Sequence, residues 1–287
     1  MVVEDVPQPS AGEGEVLVRV TAAGVGPWDA IIREGRSKVS PQPPLTLGSD
    51  LSGFVEAVGP GVPGFRAGDE VYGVTNPQFC GAQAEYATAS ARMIAPKPKI
   101  LSDLDAGSAS VIAVTAYQML FEYAGAKQGD AVMITGAAGN VGAYAVQLAL
   151  QAGMDVVAVA RAADEAFLRR LGAKMIVDFG GTEALPEVAA VLDTVGGSTV
   201  ERYVRAIRPG GKLVSAVSEP VSQRRDIQSI FFYAEVTTER LQILSALFED
   251  GKISARTGSV LPLAQARVAH EMLGGAPHKK GKIVLQV

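Results

Sequence analysis

The chain has one cysteine, one tryptophan and two histidines in 287 residues. The lone thiol, Cys80, excludes an internal disulfide framework and a multi-cysteine zinc cluster, and it fits a reducing, cytoplasmic compartment. No apolar run reaches bilayer-spanning length. The opening Met1-Val2-Val3-Glu4-Asp5-Val6-Pro7 is acidic and too short in apolar length for a signal peptide. Lysine and arginine never accumulate in a block and the net charge is −4, which argues against a nucleic-acid or anionic-membrane surface. Internal repeats and low-complexity tracts are absent too. What is present is a globular composition, 48% hydrophobic and 20% charged, at a length that calls for two domains or one large one.

Three textures follow one another. Residues 1–98 are dense in glycine and proline, with short apolar runs at Val16–Val20 and Phe54–Val58 and turn signals at Gly59-Pro60, Pro63-Gly64 and Ala67–Asp69. This is the pattern of a β-barrel-like domain. From Ser102 to Ser218, strands alternate with helical patterns, as in βαβ units and a parallel sheet. Strands are expected at Val132–Thr135, Val156–Ala160, Lys174–Asp178, Val188–Asp193 and Gly211–Val217. A helix over Val200–Ile207 should end at the Pro209-Gly210-Gly211 turn. The last zone holds helices at Thr238–Glu249 and Leu263–Leu273 and a closing strand at Lys282–Val287. The division expected is 1–98 with 247–287 in one domain and 99–246 in the other.

The most informative stretch is Ala131–Gly153. A strand meets Ala137-Ala138-Gly139-Asn140-Val141-Gly142, and a helix follows at once. The turn reads A-x-G-x-x-G, the dinucleotide fingerprint with alanine for its first glycine. Gly139 lets the backbone approach a pyrophosphate, Gly142 lets the helix pack on the strand, and the helix N-terminus offers N–H groups to the phosphates. Ala138, Asn140 and Val141 line the same turn. At the end of the next strand, where an NAD site carries a carboxylate for the ribose, stand Ala160 and Arg161. A missing carboxylate and a planar cation favour a 2′-phosphate, so NADPH is expected over NADH. Asp155 precedes the strand, and Asp164 and Glu165 read as first-turn helix residues.

Gly48-Ser49-Asp50-Leu51-Ser52-Gly53-Phe54-Val55, Val58-Gly59 and Phe65–Val71 resemble the signature of the medium-chain dehydrogenase/reductase superfamily. The A-A-G-N-V-G loop, Asp193-Thr194-Val195-Gly196-Gly197, Pro209-Gly210-Gly211 and Gly281–Leu285 are similar to its zinc-independent quinone oxidoreductase branch, to which zeta-crystallin belongs. The resemblance covers nearly the whole chain. It implies an α/β protein: a doubly wound parallel Rossmann sheet plus a GroES-like β-barrel catalytic domain. Zinc-dependent relatives place a cysteine near Gly26–Asp29 and a histidine at Ser49. Neither is present here, and His270 and His278 fall near the C-terminus, so no metal is expected. Relatives begin with a further strand before the segment matching Val2–Pro7. Its lack here leaves either an open barrel edge or a start internal to a longer protein.

The resemblance further implies cofactor contacts from Thr115, from Thr194 and Val195 beside the nicotinamide ribose, and from Ala216 and Val217 at a strand end under the ring. Thr115 reads equally as a helix residue bonding its own backbone. Phe231, Phe232 and Tyr233 read either as a cap on the nicotinamide or as a buried edge or dimer seam within Ile227–Val236. Many relatives carry asparagine where Gly26 stands and tyrosine near Ile31, and losing both leaves the substrate open. No catalytic residue is identified. The acceptor-pocket candidates are Trp28, which could stack on a quinone or enone; Asp29, a cap or ion-pair partner; and Ser49, beside a hydrogen-bonded Asp50. Tyr72 and Tyr123 are possible pocket phenols, and Cys80 an inert thiol. The expectation is an NADPH-dependent reductase of quinones or α,β-unsaturated carbonyls, a homodimer through the Rossmann edge strand, with no nucleic-acid or membrane partner. The alternative is an NADPH-binding protein with little turnover, in a crystallin-like structural, sensor or RNA-binding role.

Overall fold

In a computed structural model describing residues 1–220 and 222–287, the short apolar runs near the N-terminus become one curved sheet. Its centre is β1 (Glu15–Val25), followed by α1 (Pro27–Arg33), β2 (Asp50–Val58), β3 (Glu70–Val74), β4 (Tyr86–Ser90), β5 (Ile94–Pro96) and α2 (Asp103–Tyr117). β1 is longer than its Val16–Val20 core because it has partners along its whole length. Its first half pairs β4, its second half pairs a C-terminal strand, and β2 runs beside it throughout. Register shifts at Leu17/Val18 and Val20/Ala22 bend it, as bulges do. Its inward valines pack on Leu51, Val55, Val71 and Ile94.

The middle of the chain supplies β6 (Ala131–Thr135), α3 (Asn140–Gln151), β7 (Asp155–Ala160), α4 (Glu165–Arg170), β8 (Met175–Asp178), β9 (Val188–Asp193), α5 (Val200–Val204), β10 (Ile207–Ser215) and β11 (Gln228–Phe231). These strands form a parallel sheet in the order β11-β10-β9-β6-β7-β8. Near-continuous apolar strands such as Val156–Ala160 suit a sheet covered on both faces. The strand order reverses between β6 and β9, where doubly wound sheets bind ligands. A π-helical turn, Gln118–Tyr123, carries α2 toward β6.

The chain then returns with α6 (Thr238–Glu249), β12 (Thr257–Pro262), α7 (Ala266–Leu273) and β13 (Lys282–Gln286). β12 and β13 extend the first sheet to β12-β13-β1-β2-β3-β5, with β4 on β1. The chain thus divides into two units, Met1–Val111 with Val236–Val287, and Ile112–Glu235. Boundaries expected at 98/99 and 246/247 fall instead inside α2 and before α6. Two sets of bonds account for this. Asp50 Oδ1 accepts the Val111 N–H at 2.8 Å. α6 is tied to the first unit by Thr238 Oγ1 on Ile94 O at 2.7 Å and by Tyr72 OH on Leu241 O at 2.8 Å.

Some local expectations are corrected. Pro209-Gly210-Gly211 lies within β10, whose register shifts there, and α5 ends at Val204 because Arg224 takes the Val204 and Ile207 carbonyls at 3.1 and 2.6 Å. Asp155 is the first residue of β7. Leu263–Gln265 is a 3-10 turn ahead of α7. β11 spans four residues, so Phe232 and Tyr233 lie beyond it, and β10 ends before Ala216 and Val217. No helix among the described residues is long and apolar enough to cross a membrane.

Candidate functional site

In the second unit, the C-terminal ends of β6, β9 and β10 meet around one carboxylate. Asp193, 2% exposed, accepts four hydrogen bonds: Thr135 Oγ1 at 2.9 Å, the Val195 and Gly196 N–H groups at 3.1 and 2.9 Å, and Ser215 Oγ at 2.9 Å. Thr194 is held in turn, its Oγ1 donating to Thr135 O at 2.7 Å and its N–H to Thr135 Oγ1 at 3.2 Å. Ser215 Oγ accepts the Val217 N–H at 3.2 Å. Two apolar side chains, Val195 and Val217, are left 42% and 48% exposed at this end of the sheet. Thr194, Val195, Ala216 and Val217 therefore share one neighbourhood, organised by a residue that sequence reading placed only in a motif.

The glycine turn fits a dinucleotide. The sharp bend is made by Gly136, at φ +62°, one residue ahead of the fingerprint's alanine, and a Cβ there would lie 2.7 Å from Thr194 Oγ1. The T-G-A-A-G run was the available signal. A Cβ on Gly142 would lie 2.2 Å from Gly136 O, so the helix packs as closely as the fingerprint requires. Gly139 is exposed, with Ala138, Asn140 and Val141 half-buried beside it. α3 starts at Asn140 with no side chain capping it, so its N-terminal N–H groups face the turn.

At the end of β7, Ala160 is buried in register with Asp178 of β8. Asp178 turns its Oδ2 onto the Gly180 N–H at 3.2 Å. Arg161 is exposed; its carbonyl accepts the Asp164 N–H at 2.8 Å, and its guanidinium makes no hydrogen bond or ion pair among the described residues. Thr115 is buried on α2.

The aromatic trio is split by the fold. Phe232 is buried against Tyr123, ring centroids 4.3 Å apart, while Tyr233 is 67% exposed and meets Phe231 edge-on at 5.1 Å. Buried Gln118 on the π-helical turn accepts the Glu235 N–H at 2.9 Å. The segment after β11 is thus clamped at both ends, and Tyr123 serves packing.

In the first unit, Trp28, Asp29 and Ser49 are brought together. Trp28 Nε1 donates to Ser49 Oγ at 2.9 Å. Lys282 Nζ sits 3.9 Å from the centroid of a Trp28 ring and 2.9 Å from Asp50 Oδ2. Asp29 Oδ2 accepts the Gly26 N–H at 2.7 Å, which caps α1. Asp29 and Ser49 are wholly buried and Trp28 is half-buried, so Trp28 is the member of the three with open surface. Lys282 was not among the expected site residues. Tyr72 is buried, donates to Leu241 O, and has its ionisation pushed up by that burial, which makes it a structural phenol. Cys80 is half-buried, and burial raises its thiol pKa, as in an unreactive cysteine. Among the described residues no three or more His, Cys, Asp or Glu side chains are arranged to hold a metal ion. The donor set beside Trp28 (a hydroxyl and a carboxylate already paired with a lysine) does not fit catalytic zinc.

The alcohol dehydrogenase GroES-like domain family matches residues 12–99, and the zinc-binding dehydrogenase family matches residues 171–285. A probable zinc-binding oxidoreductase, mitochondrial, of Arthroderma benhamiae is 30% identical, covering 98% of this chain and 91% of that protein. The 2-methylene-furan-3-one reductase of Solanum lycopersicum is 32% identical over 85% of this chain and 64% of its own length. Among solved structures, the quinone oxidoreductase from Coxiella burnetii is 31% identical, with a TM-score of 0.89 covering 99% of this chain and 94% of that one.

Proposed function

The chain belongs to the medium-chain dehydrogenase/reductase superfamily, in its quinone oxidoreductase branch, and from that premise we propose that it reduces a quinone or an α,β-unsaturated carbonyl with hydride from NADPH, without zinc. NADPH supplies the hydride when bound; the chain's residues bind it, orient it and keep water out. The observation that carries the cofactor choice is the end of β7, where Ala160 offers no carboxylate and the Arg161 guanidinium is unengaged. Gly136, Gly139 and Gly142 shape the pyrophosphate turn. Thr194, Val195, Ala216 and Val217 would hold the nicotinamide end, with Thr115 and the segment Phe231–Tyr233 as its further contacts. Trp28, with its open aromatic surface, is the residue of the first unit that we read as the acceptor contact. Quinones and enones take their proton from water after hydride addition, so a dedicated protein acid is not required.

NADPH oxidation followed by stopped flow against naphthoquinones and small enones should show turnover. Tight NADPH binding with no acceptor reduced would sink the enzyme reading. Arg161→Ala should raise the KM for NADPH about tenfold, the worth of one charge-assisted contact, and leave NADH unchanged. Equal effects on both cofactors would refute the 2′-phosphate contact. The free side of β11 is the surface through which a second copy would join, forming a homodimer, and a monomer by light scattering would remove that idea. A cytoplasmic location fits the single half-buried thiol.

A further inference from the structure

Three ionisable side chains in the first unit have essentially no solvent contact, and they lie together. Asp29 and Asp50 are 0% exposed and Lys282 is 1%. Their charges do not balance. Lys282 Nζ is paired with Asp50 Oδ2 at 2.9 Å, and Asp50 Oδ1 is taken by the Val111 N–H at 2.8 Å. Asp29 is left without a cation of its own. Its Oδ2 has the Gly26 N–H, while its Oδ1 is buried with no hydrogen bond. An ionised carboxylate with an unsolvated oxygen is among the costliest groups a core can hold, and a neutral carboxylic acid costs far less.

Two members of this cluster, Asp29 and Lys282, bear on Trp28. Asp29 is the third residue of α1 and pins its N-cap, Gly26. A Cβ on Gly26 would lie 2.4 to 2.6 Å from the six-membered ring of Trp28, so the indole rests against that glycine. Lys282 holds the ring by a cation–π contact and Ser49 holds its Nε1.

We propose that Asp29 is a proton-holding positioning residue for Trp28. Below neutral pH its carboxyl group is neutral, so Lys282 is shared only between Asp50 and the indole. When the Asp29 O–H bond breaks and the proton passes to solvent, a second carboxylate competes for the same ammonium. Lys282 is drawn from the ring, and the Trp28 wall loosens.

The groups facing Asp29 agree with this assignment. Burial pushes its pKa up from 3.8 to about 7. The Gly26 N–H, Lys282 of β13 and the Gly48 backbone act against the rise, and Asp50 of β2 adds to it. From α7, which packs on α1, the buried titratable group is His270, held down to about 4 by burial beside Arg33 and so uncharged near neutrality. The other charges of α7, Arg267 and Glu271, pair with each other at the surface. The consequence for turnover rests on the reading of Trp28 as the acceptor wall.

Trp28 is the chain's only tryptophan, so intrinsic fluorescence reads the cluster without any assay of activity. Titration of the full chain should give one step in emission intensity and maximum, with its midpoint within about one pH unit of 7. Asp29→Asn should abolish the step, and the double variant His270→Gln, His278→Gln should keep it. Difference infrared spectra of the unaltered protein should lose a neutral carboxylic-acid carbonyl band across the same step, which decides the matter even if Asp29→Asn folds poorly. A flat titration, a step that survives Asp29→Asn, or no infrared change would overturn the proposal. In acceptor reduction, kcat/KM for the acceptor should fall several-fold above the midpoint while NADPH affinity stays level, and an unchanged profile would overturn the link to catalysis. If no acceptor is reduced at any pH, the proposed function falls while the fluorescence step still upholds the proton site.

Discussion

Asp193 and Asp29 are the same side chain at nearly the same depth, 2% and 0% exposed, in different units of one chain. Asp193 meets four donors contributed by the ends of β6 and β10 and by the turn after β9. Asp29 meets one well-formed N–H, that of Gly26, and its other oxygen has no bond of good geometry, with only a weak pull from the Gly48 backbone. The comparison shows that burial alone does not determine what a carboxylate does. Where donors converge, both oxygens are engaged and the side chain becomes a rigid corner for the strand ends. Where they are scarce, the neutral form is favoured and the group retains a proton that it can release near neutrality.

The largest effect should come from breaking the rigid corner. Asp193→Ala leaves Thr135 Oγ1, Ser215 Oγ and two backbone N–H groups without their acceptor. It should cost about 3 kcal/mol or more in urea unfolding, and weaken NADPH binding at least about tenfold in a fluorescence titration. Asp29→Asn keeps the shape of the neutral acid and should cost less than about 1 kcal/mol at neutral pH. If the two variants unfold alike, the contrast between the sites is wrong.

Two glycines sharpen the same contrast. Gly136 sits at φ +62° with Thr194 and Val195 atoms 2.7 Å from where a Cβ would be. Alanine there should cost about 1–3 kcal/mol and move the turn that receives the pyrophosphate. Gly26 has an extended backbone at φ −132°, open to any residue, and its obstacle is the Trp28 ring, a side chain able to swing away. Gly26→Ala should therefore shift tryptophan emission with a stability loss of less than about 1 kcal/mol. Equal losses at both glycines would mean that the indole is as fixed as the turn.

The strand, glycine turn and helix at Ala131–Gln151 were legible because each rests on local chemistry: apolar period, glycine spacing and an uncapped helix start. The ends of β9 and α6 were legible for the same reason. The Asp29 cluster was not, because its members are brought together only by the folded sheet: Lys282 and Asp50 are 232 residues apart. Nothing around Gly281-Lys282-Ile283 marks a lysine that will be 1% exposed. Trp28 was readable as an aromatic near the acceptor, but the ammonium against its ring was not. Likewise the short span of β11 depends on Gln118 and Tyr123, far upstream, which take up the residues just beyond the strand.

The smallest effect is expected where two buried groups oppose each other. The pKa of His270, 2% exposed with Nδ1 lacking a hydrogen bond, is lowered from 6.5 to about 4 by burial, Arg33 and the chain's amino terminus. A depressed pKa means that its contribution to stability is complete above about 6.5 and is lost as pH falls through about 4. The raised pKa of Asp29 has the reverse sign: its contribution is complete below about 4 and is lost as pH rises through about 7. Each slope is at most about 1.4 kcal/mol per pH unit. Between about pH 4 and about 6.5 the two nearly cancel. From there to about pH 7 Asp29 acts alone, a net fall of about 0.7 kcal/mol at most. The single variants uncover the hidden slopes. Relative to the parent, Asp29→Asn should gain stability as pH rises through this window, and His270→Gln should lose it, in urea melts at several pH values. Slopes of the same sign in both variants would show that the orphaned Asp29 oxygen is stabilised by something other than a proton, and the contrast with Asp193 would lose its basis.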